Sequence, residues 1–417
     1  MGKTIAEKIL SSHSGRDAYV SDIVVADIDF LMGQDGTSGI VIDSFNKMEG
    51  KKVFDPSKFA ICLDHSAPSP NIGVSEIHKK LREFAKEMGI ILYDVGSGIC
   101  HQLIPEQGHV VPGDLVIGAD SHTCTYGAIN AFSTGVGSTD LAAAVISGKL
   151  WFKVPETIKM IVSGKLPKGV FSKDVILYII SKVRADGATY KSVELVGEAI
   201  DAMSVESRMT MSNMAIEMGA KAGIMKADKK VIDWVKKHSK RKFTPVEADR
   251  DAKYSETIEF DISKISPQVA KPHKVDNVSP IEEVIGTRID QGFLGTCTNG
   301  RIEDLEIAAK ILKGKKISGG SRLIVAPASR TIFLEAIKNG IVETLTRAGA
   351  VVVSPGCGPC VGTHEGIPAD GENVISTANR NFKGRMGNPN AFIYLGSPAT
   401  VAASMLEGKI ADPRKYI

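Results

Sequence analysis

The sequence predicts an α/β fold with mostly parallel sheets, distributed over three regions of the chain. Short β-branched segments alternate with helix-like patterns, which is typical of βαβ units. Polar residues such as Asp64 and Asp120 follow directly where the predicted strands end. The chain of 417 residues is long enough for two or three domains that each bury a core.

The first region, residues 1–153, contains the clearest strand and helix signals. Its predicted elements are buried strands at 59–63, 90–94 and 115–120, and a helix at 76–88 that Gly89 closes. Ligand sites in parallel sheets lie beyond the carboxyl ends of the strands. The polar residues that follow the first and last of these strands are therefore predicted to share a site.

The other two predicted domains are residues 154–275 and 276–417. A polar, proline-punctuated stretch at 239–277 is the best candidate for a linker, and the basic run 226–242 is predicted to be a solvated amphipathic helix. The last domain is predicted to be another α/β unit. Its strands are expected at 291–294, 322–326, 350–353 and 391–395.

The composition is that of an ordinary globular protein. The chain is 43% hydrophobic and 24% charged, and its formal net charge of +3 argues against a nucleic-acid binder. The six sparse cysteines do not resemble a secreted disulfide framework. The first ten residues lack a signal-peptide core and no apolar run reaches membrane-spanning length, so we expect a soluble cytoplasmic protein.

Three cysteines carry the most specific signal. Cys297 lies in the segment GTCTNGR, and Cys357 and Cys360 lie in PGCGPCVG. Three thiolates can hold an iron–sulfur cube and leave one iron free to act as a Lewis acid. A redox pair, or a zinc site with His364 as a further ligand, are the alternatives for the close pair. Ordinary buried or pocket-wall thiols are expected for Cys62, Cys100 and Cys124.

Histidines and carboxylates cluster after the predicted strands. Asp64 and His65 follow one strand, Asp120 and His122 follow another, and His101 lies in a loop between them. Pairing with a carboxylate fixes the tautomer of an imidazole and raises its basicity, which suits a proton donor near neutral pH. These residues are candidates for general acid–base catalysis.

Two arginines occur in the segment NRNFKGR. Arg380 and Arg385 lie five residues apart in a predicted loop soon after the cysteine pair. Guanidinium groups match carboxylates in a bidentate geometry. We therefore interpret this loop as a binding site for substrate carboxylates rather than as a solvated basic loop.

Together these segments resemble the aconitase superfamily along nearly the whole chain. The resemblance is carried by LDHS, GICHQ, GADSHT, GTCTN, GCGPC and NRNFKGR, which begin at Leu63, Gly98, Gly118, Gly295, Gly356 and Asn379. It implies three α/β domains of the aconitase type, with a cluster site in the cleft between them. The length is similar to that of the large subunit of a split enzyme of this superfamily.

The resemblance implies a role for each candidate residue. A [4Fe-4S] cluster, with one iron not bound by cysteine, would be held by Cys297, Cys357 and Cys360. The catalytic pairs would be Asp64 with His65, which protonates the departing hydroxyl, His101 with Asp120, and His122 with Glu194. Contacts to the substrate would come from Gln34, Ser121, Arg380 and Arg385.

The implied reaction is a reversible dehydration and rehydration of a 2-hydroxy dicarboxylate or tricarboxylate in amino-acid biosynthesis. The expected substrate is 2-isopropylmalate, and homocitrate-type or methylated malate substrates remain open alternatives. In this superfamily the serine that takes the carbon-bound proton lies on a fourth domain. The resemblance therefore implies a small partner subunit that carries this serine, in a heterodimer or heterotetramer that is active only when complete.

Two other classes of protein fit the residues less well. A regulatory relative that loses its cluster and binds RNA is disfavoured by the modest net charge and by the intact set of histidines and aspartates. A plain iron–sulfur electron carrier would normally have four cysteine ligands and would not need the carboxylate–imidazole pairs.

Overall fold

The apolar strands and amphipathic helices of the first region fold into a parallel sheet with helices around it. The structure is a computed structural model that describes residues 2–417. The α-helices of this region are α1 (Ile5–Ser14), α2 (Asp35–Lys47), α3 (Ile72–Met88), α4 (Cys100–Glu106) and α5 (Ser138–Ser147). Its strands are β1 (Ile23–Asp27), β2 (Phe30–Gln34), β3 (Phe59–Cys62), β4 (Ile91–Tyr93), β5 (Leu115–Gly118), β6 (Phe132–Gly135) and β7 (Lys149–Lys153).

Five of these strands form a parallel sheet in the order β4-β3-β2-β5-β6, while β1 and β7 form an antiparallel ribbon. Strands β2, β3 and β5 are buried along their whole length, as expected for a parallel sheet with covered faces. Because these three strands are neighbours, their carboxyl ends bring residues 34–35, 64–65 and 120–122 to one edge.

The second region forms a smaller parallel sheet. Its strands are β8 (Thr157–Ser163), β9 (Ser192–Val196), β10 (Ala222–Ile224) and β11 (Glu256–Asp261), in the order β10-β9-β8-β11. Its α-helices are α6 (Ser172–Val183), α7 (Glu198–Ala202), α8 (Val205–Asn213) and α9 (Lys229–His238). A short 3₁₀ helix, Met214–Met218, follows α8.

The third region forms a seven-stranded mixed sheet in the order β13-β12-β18-β17-β14-β15-β16. Its strands are β12 (Gln268–Ala270), β13 (Val278–Pro280), β14 (Gln291–Leu294), β15 (Arg322–Val325), β16 (Val351–Val352), β17 (Asn373–Ser376) and β18 (Phe392–Leu395). Its α-helices are α10 (Thr296–Asn299), α11 (Ile302–Leu312), α12 (Arg330–Lys338), α13 (Ile341–Ala348) and α14 (Pro398–Glu407).

One continuous apolar core joins the three sheets. It contains Met32 of the first sheet, Met160 of the second and Phe293 of the third, all buried. A second core packs the opposite face of the first sheet against the outer helices, with Leu31 and Phe45 among its members. The three regions are therefore packed around one interior, at which the carboxyl ends of several strands meet.

The predicted α/β class is confirmed, and the predicted strands of the first and third regions are present. Helix α3 begins earlier than predicted, because the Asn71 side chain accepts a hydrogen bond from the Val74 N–H at 3.0 Å and caps it. The stretch 239–277 is more than a linker, since it contributes β11 to the second sheet and β12 to the third. Strand β12 thus joins the third sheet, although the predicted boundary assigned it to the second domain.

None of the helices within residues 2–417 combines the length and the apolar character needed to cross a bilayer.

An ion pair joins α1 to the short connection between β1 and β2. Nε2 of His13 lies 2.6 Å from Oδ2 of Asp29. Burial lowers the pKa of His13, but the bond to Asp29 and its charge outweigh this effect, so the pKa lies above 6.5. The contribution to stability is therefore complete below about 6.5 and is lost as the pH rises through the raised pKa. Burial raises the pKa of Asp29, but the bond to His13 outweighs this effect, so the pKa lies below 3.8. Protonation of Asp29 therefore removes the stabilisation only in acid.

We expect His13→Gln to lower the free energy of unfolding by up to about 1 kcal/mol at pH 5.5. At pH 8.5 the loss should be smaller, because the contribution declines as the pH rises through the raised pKa of His13. Urea unfolding of both proteins at the two pH values measures the difference. An equal loss at both values would show that packing, and not the charge of His13, is responsible.

Candidate active site

The Asp64–His65 pair lies directly after β3. Nδ1 of His65 donates a hydrogen bond to Oδ1 of Asp64 at 2.8 Å, and the other oxygen of Asp64 accepts the Cys100 N–H at 2.7 Å. Nε2 of His65 lies 3.3 Å from Oδ2 of Asp120. Burial lowers the pKa of His65, but the charges of Cys357 and Asp64 and the bonds to both aspartates outweigh it, so this pKa is well above 6.5.

A buried carboxylate that the sequence analysis did not single out holds this loop in place. Oδ1 of Asp35 accepts the backbone N–H of His65 at 2.8 Å, and Oδ2 accepts that of Ser66 at 2.8 Å. Nε2 of His78 lies 3.0 Å from the same carboxylate. Asp35 therefore fixes the backbone from which the His65 imidazole projects.

His101 is placed by a close contact between the first and third regions. Gly98 has a φ of +136°, and a Cβ atom there would lie 2.6 Å from the Ala328 carbonyl oxygen, so only glycine allows the approach. The Ile99 N–H donates to that carbonyl at 2.8 Å, and α4 then begins at Cys100. Nε2 of His101 donates to Oδ1 of Asp120 at 2.8 Å, which is the predicted pair.

Asp120 is the centre of the network. Oδ1 of Asp120 accepts the bond from His101 and also the backbone N–H of His122 at 2.8 Å. Oδ2 faces Nε2 of His65 and lies 3.5 Å from Nε2 of Gln34. Burial raises the pKa of Asp120, but the charge and bond of His101, together with the bonds of the other two histidines, hold it well below 3.8. One ionised carboxylate therefore binds the His101 imidazole, faces that of His65 and lies 3.6 Å from Nδ1 of His122.

The predicted partner of His122 is wrong. Nε2 of His122 donates to Oε1 of Glu217 at 2.8 Å, and Nε of Arg380 donates to the same carboxylate at 2.8 and 3.1 Å. Burial raises the pKa of Glu217, but His122 and Arg380 lower it further, so the group stays ionised. Glu217 therefore links an imidazole of the site to the arginine loop.

Glu194, which was predicted for that position, has a different environment. It lies inside β9, where Oε1 accepts the Ile5 N–H at 2.8 Å and Oε2 accepts the Tyr254 hydroxyl at 2.8 Å. Its carboxylate therefore fastens the amino-terminal segment to the second sheet. Burial raises its pKa, and no histidine contributes to the shift.

The three predicted cluster cysteines lie in two loops at the carboxyl edge of the third sheet. Cys297 is in α10 directly after β14, while Cys357 and Cys360 follow β16, and each is at most 5% exposed. The Cys357 N–H donates to the Asp64 carbonyl oxygen at 2.8 Å, which joins this loop to the Asp64–His65 loop. The cysteines therefore lie beside the carboxylate–imidazole network.

Side-chain donors point at the sulfur atoms. Nδ2 of Asn213 donates to Sγ of Cys297 at 3.2 Å, and Nδ2 of Asn379 lies 3.6 Å from the same sulfur. Nη2 of Arg385 donates to Sγ of Cys360 at 3.3 Å. Such donors stabilise thiolates that ligate a metal centre. Burial raises the pKa of the Cys297 thiol to about 12, so a bound metal is needed to deprotonate it near neutral pH.

The spacing of the sulfurs favours a cluster over a single zinc ion. Within residues 2–417, two groups of three residues bring potential metal-ligand atoms within 4.8 Å of one another. The first group is Asp64, His65 and Cys100, and the second is His101, Asp120 and His122. The three predicted cysteines form no such set, whereas Zn–S bonds of about 2.3 Å would place ligand sulfurs about 4 Å apart. Nε2 of His364 bonds to the His65 carbonyl oxygen at 3.2 Å, so this nitrogen already has a partner.

Other buried polar atoms of the site lack a hydrogen-bond partner. Nδ1 of His101 and Nε of Arg385 have no hydrogen-bond partner in the part of the chain that the structure describes. Buried polar atoms of this kind normally have a partner, which a bound group would supply. The site therefore fits an iron–sulfur cluster with its substrate, since it combines three buried thiols, donors aimed at sulfur and these unpartnered nitrogens.

The remaining predicted substrate contacts lie around this centre. Oε1 of Gln34 accepts the Gly36 N–H and caps α2, which leaves its Nε2 facing Asp120. Ser121 begins the 3₁₀ helix Ser121–Ile129 and lines a cavity of about 430 Å³ together with Ile216, the neighbour of Glu217. Gln34, Arg380 and Arg385 thus lie beside the histidines and cysteines. The cavity at Ser121 is lined by Asp120 but by none of these histidines, cysteines or arginines.

Loops from the first and third sheets meet at this site. They define an α/β protein with a buried network of acid–base groups beside three thiols. A family model described as aconitase family (aconitate hydratase) matches residues 7–288 and 282–408. The chain belongs to the aconitase family.

Curated relatives match over their full length. The chain is 51% identical to the 3-isopropylmalate dehydratase large subunit 1 of Methanopyrus kandleri, with 100% of both chains covered. It is 53% identical to the 3-isopropylmalate dehydratase large subunit 2 of Archaeoglobus fulgidus, again with 100% of both covered. It is also 53% identical to a probable methanogen homoaconitase large subunit of Methanosarcina mazei, over 94% of this chain and 100% of that one.

A solved structure supports the fold. The holo form of aconitase X from Thermococcus kodakaraensis superposes with a TM-score of 0.52 and covers 90% of this chain and 88% of its own. At 15% sequence identity, this likeness concerns the fold alone.

Proposed function

We propose that this chain is the large subunit of a 3-isopropylmalate dehydratase. This enzyme interconverts 2-isopropylmalate and 3-isopropylmalate through isopropylmaleate, in leucine biosynthesis. The observation that carries the proposal is that Asp120 lies among three imidazoles beside three buried cysteines. Relatives of that name, 51–53% identical over the whole chain, support it.

Cys297, Cys357 and Cys360 would hold a [4Fe-4S] cluster. When bound, this group supplies a Lewis acid for the hydroxyl of the substrate through an iron without a cysteine ligand. The donors from Asn213 and Arg385 would stabilise the ligating thiolates.

The departing hydroxyl needs a proton, and His65 is placed to give it. Asp64 binds Nδ1 of the imidazole and leaves Nε2 facing the interior of the site, while the raised pKa keeps the ring protonated near neutral pH. The hydroxyl then leaves as water. The proton on the neighbouring carbon would pass to a base of the small subunit, which we propose to be a serine.

The substrate would be held by its carboxylates. Arg385 and Arg380 present guanidinium groups beside the cysteines and the histidines, and Glu217 fixes the Nε side of Arg380. The remaining nitrogens of Arg380 stay available for a carboxylate. Gln34 and Ser121 would complete this set of contacts.

Homoaconitase is the second candidate function. The probable homoaconitase large subunit of Methanosarcina mazei is as similar to this chain as the dehydratase subunit of Archaeoglobus fulgidus is, at 53% identity each. The residues described above serve both reactions, since each moves a hydroxyl group between neighbouring carbons. A methylated malate is a third candidate substrate of the same mechanism.

The small subunit is essential to the proposal. The relatives are named as large subunits, and we propose a heterodimer or heterotetramer in the cytoplasm, without nucleic-acid or membrane partners. The large subunit alone should be inactive even with a complete cluster.

The test is an anaerobic hydration assay of the chain co-purified with its small subunit, after iron and sulfide have been measured. We expect turnover of isopropylmaleate and none when the small subunit is omitted. Preference for homoaconitate or for methylmaleate would replace the substrate but keep the mechanism. Turnover by the isolated large subunit, or none by the loaded complex, would refute the proposal.

A further inference from the structure

A fully buried lysine lies beside the site and has no role in the scheme above. Lys173 is the second residue of α6, and its side chain has no exposed surface. Its ammonium group donates hydrogen bonds to the backbone carbonyl oxygens of Thr377 and Ala378, both at 2.7 Å. Lysine is almost never fully buried unless its charge is matched by partners, so this position calls for an explanation.

The two carbonyls belong to the turn from which the arginine loop starts. Thr377 itself is fixed, because its hydroxyl donates to the Gly295 carbonyl oxygen at 3.0 Å and accepts the Gly295 N–H at 2.9 Å. Asn379, which points at Cys297, and Arg380, which binds Glu217, follow directly. The ammonium group therefore clamps the backbone from which both side chains project.

The charges around Lys173 are those of the site. Burial lowers its pKa to about 7, and the groups that oppose this effect are Cys297, Cys360, Asp304 and Glu217, in that order. Asp174, the next residue, binds instead the backbone N–H groups of Phe171 and Gln268, at 2.8 and 2.9 Å. The ammonium group binds the carbonyl oxygen of Thr377, whose hydroxyl binds Gly295, so it lies near Cys297, two residues further along the chain.

We propose that Lys173 is a positioning residue that holds the Asn379–Arg380 turn against the site and, when protonated, places a positive charge near Cys297. The second part rests on the proposed function, since it requires thiolates that ligate a cluster. The first part does not, because the carbonyl contacts exist in the protein without a cluster.

Two variants separate the two parts. Lys173→Met removes both the hydrogen bonds and the charge, while Lys173→Gln removes the charge but keeps a donor, on a side chain one atom shorter. The matched control is Arg208→Met, which removes another fully buried cation that binds the backbone carbonyls of Ile200 and Asp201.

Two measurements are needed. Amide hydrogen exchange of the cluster-free protein reports on residues 377–385. A redox titration, followed by electron paramagnetic resonance, gives the reduction potential of the reconstituted cluster.

We expect Lys173→Met to accelerate exchange in residues 377–385 about tenfold, and Lys173→Gln to do so less. Both variants should lower the reduction potential of the cluster, since a nearby positive charge favours the reduced form. With the small subunit present, Lys173→Met should lower kcat/KM about a hundredfold, as expected when a substrate-binding group is misplaced. Arg208→Met should destabilise the fold without a selective effect on this segment or on the potential.

The proposal is overturned if Lys173→Met leaves exchange in residues 377–385 at the wild-type rate, or if Arg208→Met changes that segment equally. An unchanged potential in both lysine variants would refute the charge effect and leave only the clamp. If the wild type takes up no cluster, the proposed function fails, while the exchange experiment still decides whether Lys173 positions the turn.

Discussion

Cys297→Ser should abolish hydration activity and remove most of the iron from the purified protein. The Cys297 sulfur lies in a different loop from Cys357 and Cys360, so it is the ligand that would connect β14 to the cysteine pair. Serine is a poor donor to an iron–sulfur cluster because its hydroxyl is far less readily deprotonated than a thiol. Two cysteines of one short loop would then have to hold the cluster alone.

The measurements are iron and sulfide per chain, absorbance near the thiolate-to-iron charge-transfer band, and hydration activity with the small subunit. The control is Cys124→Ala, which changes a fully buried thiol whose sulfur donates to the Asn213 carbonyl oxygen at 3.4 Å. This variant should retain iron, sulfide and activity. Full iron content in Cys297→Ser, or its loss in Cys124→Ala, would contradict the assignment of the three ligands.

Residues that are neighbours in sequence were placed correctly from sequence alone. Asp64 and His65 pair across a single peptide bond, and Asp120 and His122 share one strand end, so the local pattern was enough. The parallel arrangement of the buried strands then required these ends to meet at one edge. The His101–Asp120 pair was implied by the resemblance to the aconitase superfamily and not by the strand pattern.

Contacts between distant segments were not predictable in this way. His122 and Glu217 are 95 residues apart, and Glu217 lies in a short 3₁₀ helix outside the motifs that carried the resemblance. Glu194 and Glu217 are both acidic residues within apolar segments, and only the three-dimensional packing shows which of them reaches His122. One signal was present: a lone glutamate among the methionines and aliphatic residues of Met214–Met218 indicates a buried, paired acid.

The same limit applies to the fold. Strands β14 and β15 were recognised from their apolar character, but β12 consists of three residues in a polar, proline-rich stretch. It becomes a strand only because β13 and β18 supply partners on both sides. Pairing with distant strands overrode the local composition there.

The two glutamates allow the corrected site to be tested with a matched pair of variants. Glu217→Gln removes the negative charge that His122 and Arg380 share, so the imidazole loses its ionic partner and the guanidinium loses its anchor. We expect kcat/KM to fall about a hundredfold or more, the size of effect seen when one preorganised electrostatic contact of an active site is removed. Iron and sulfide content should stay at the wild-type level, because no cysteine is changed.

Glu194→Gln should behave in the opposite way. Its partners are the Ile5 N–H and the Tyr254 hydroxyl, so the change weakens the attachment of the amino-terminal segment by about 1 kcal/mol and leaves kcat/KM unchanged. Steady-state kinetics of the loaded complex and urea unfolding of the large subunit measure the two effects. If Glu194→Gln were the variant that lost activity while Glu217→Gln kept it, His122 would take its carboxylate from β9 in the working enzyme. Loss of activity in both would mean that the amino-terminal segment and the arginine loop are coupled through the second region, in which both glutamates lie.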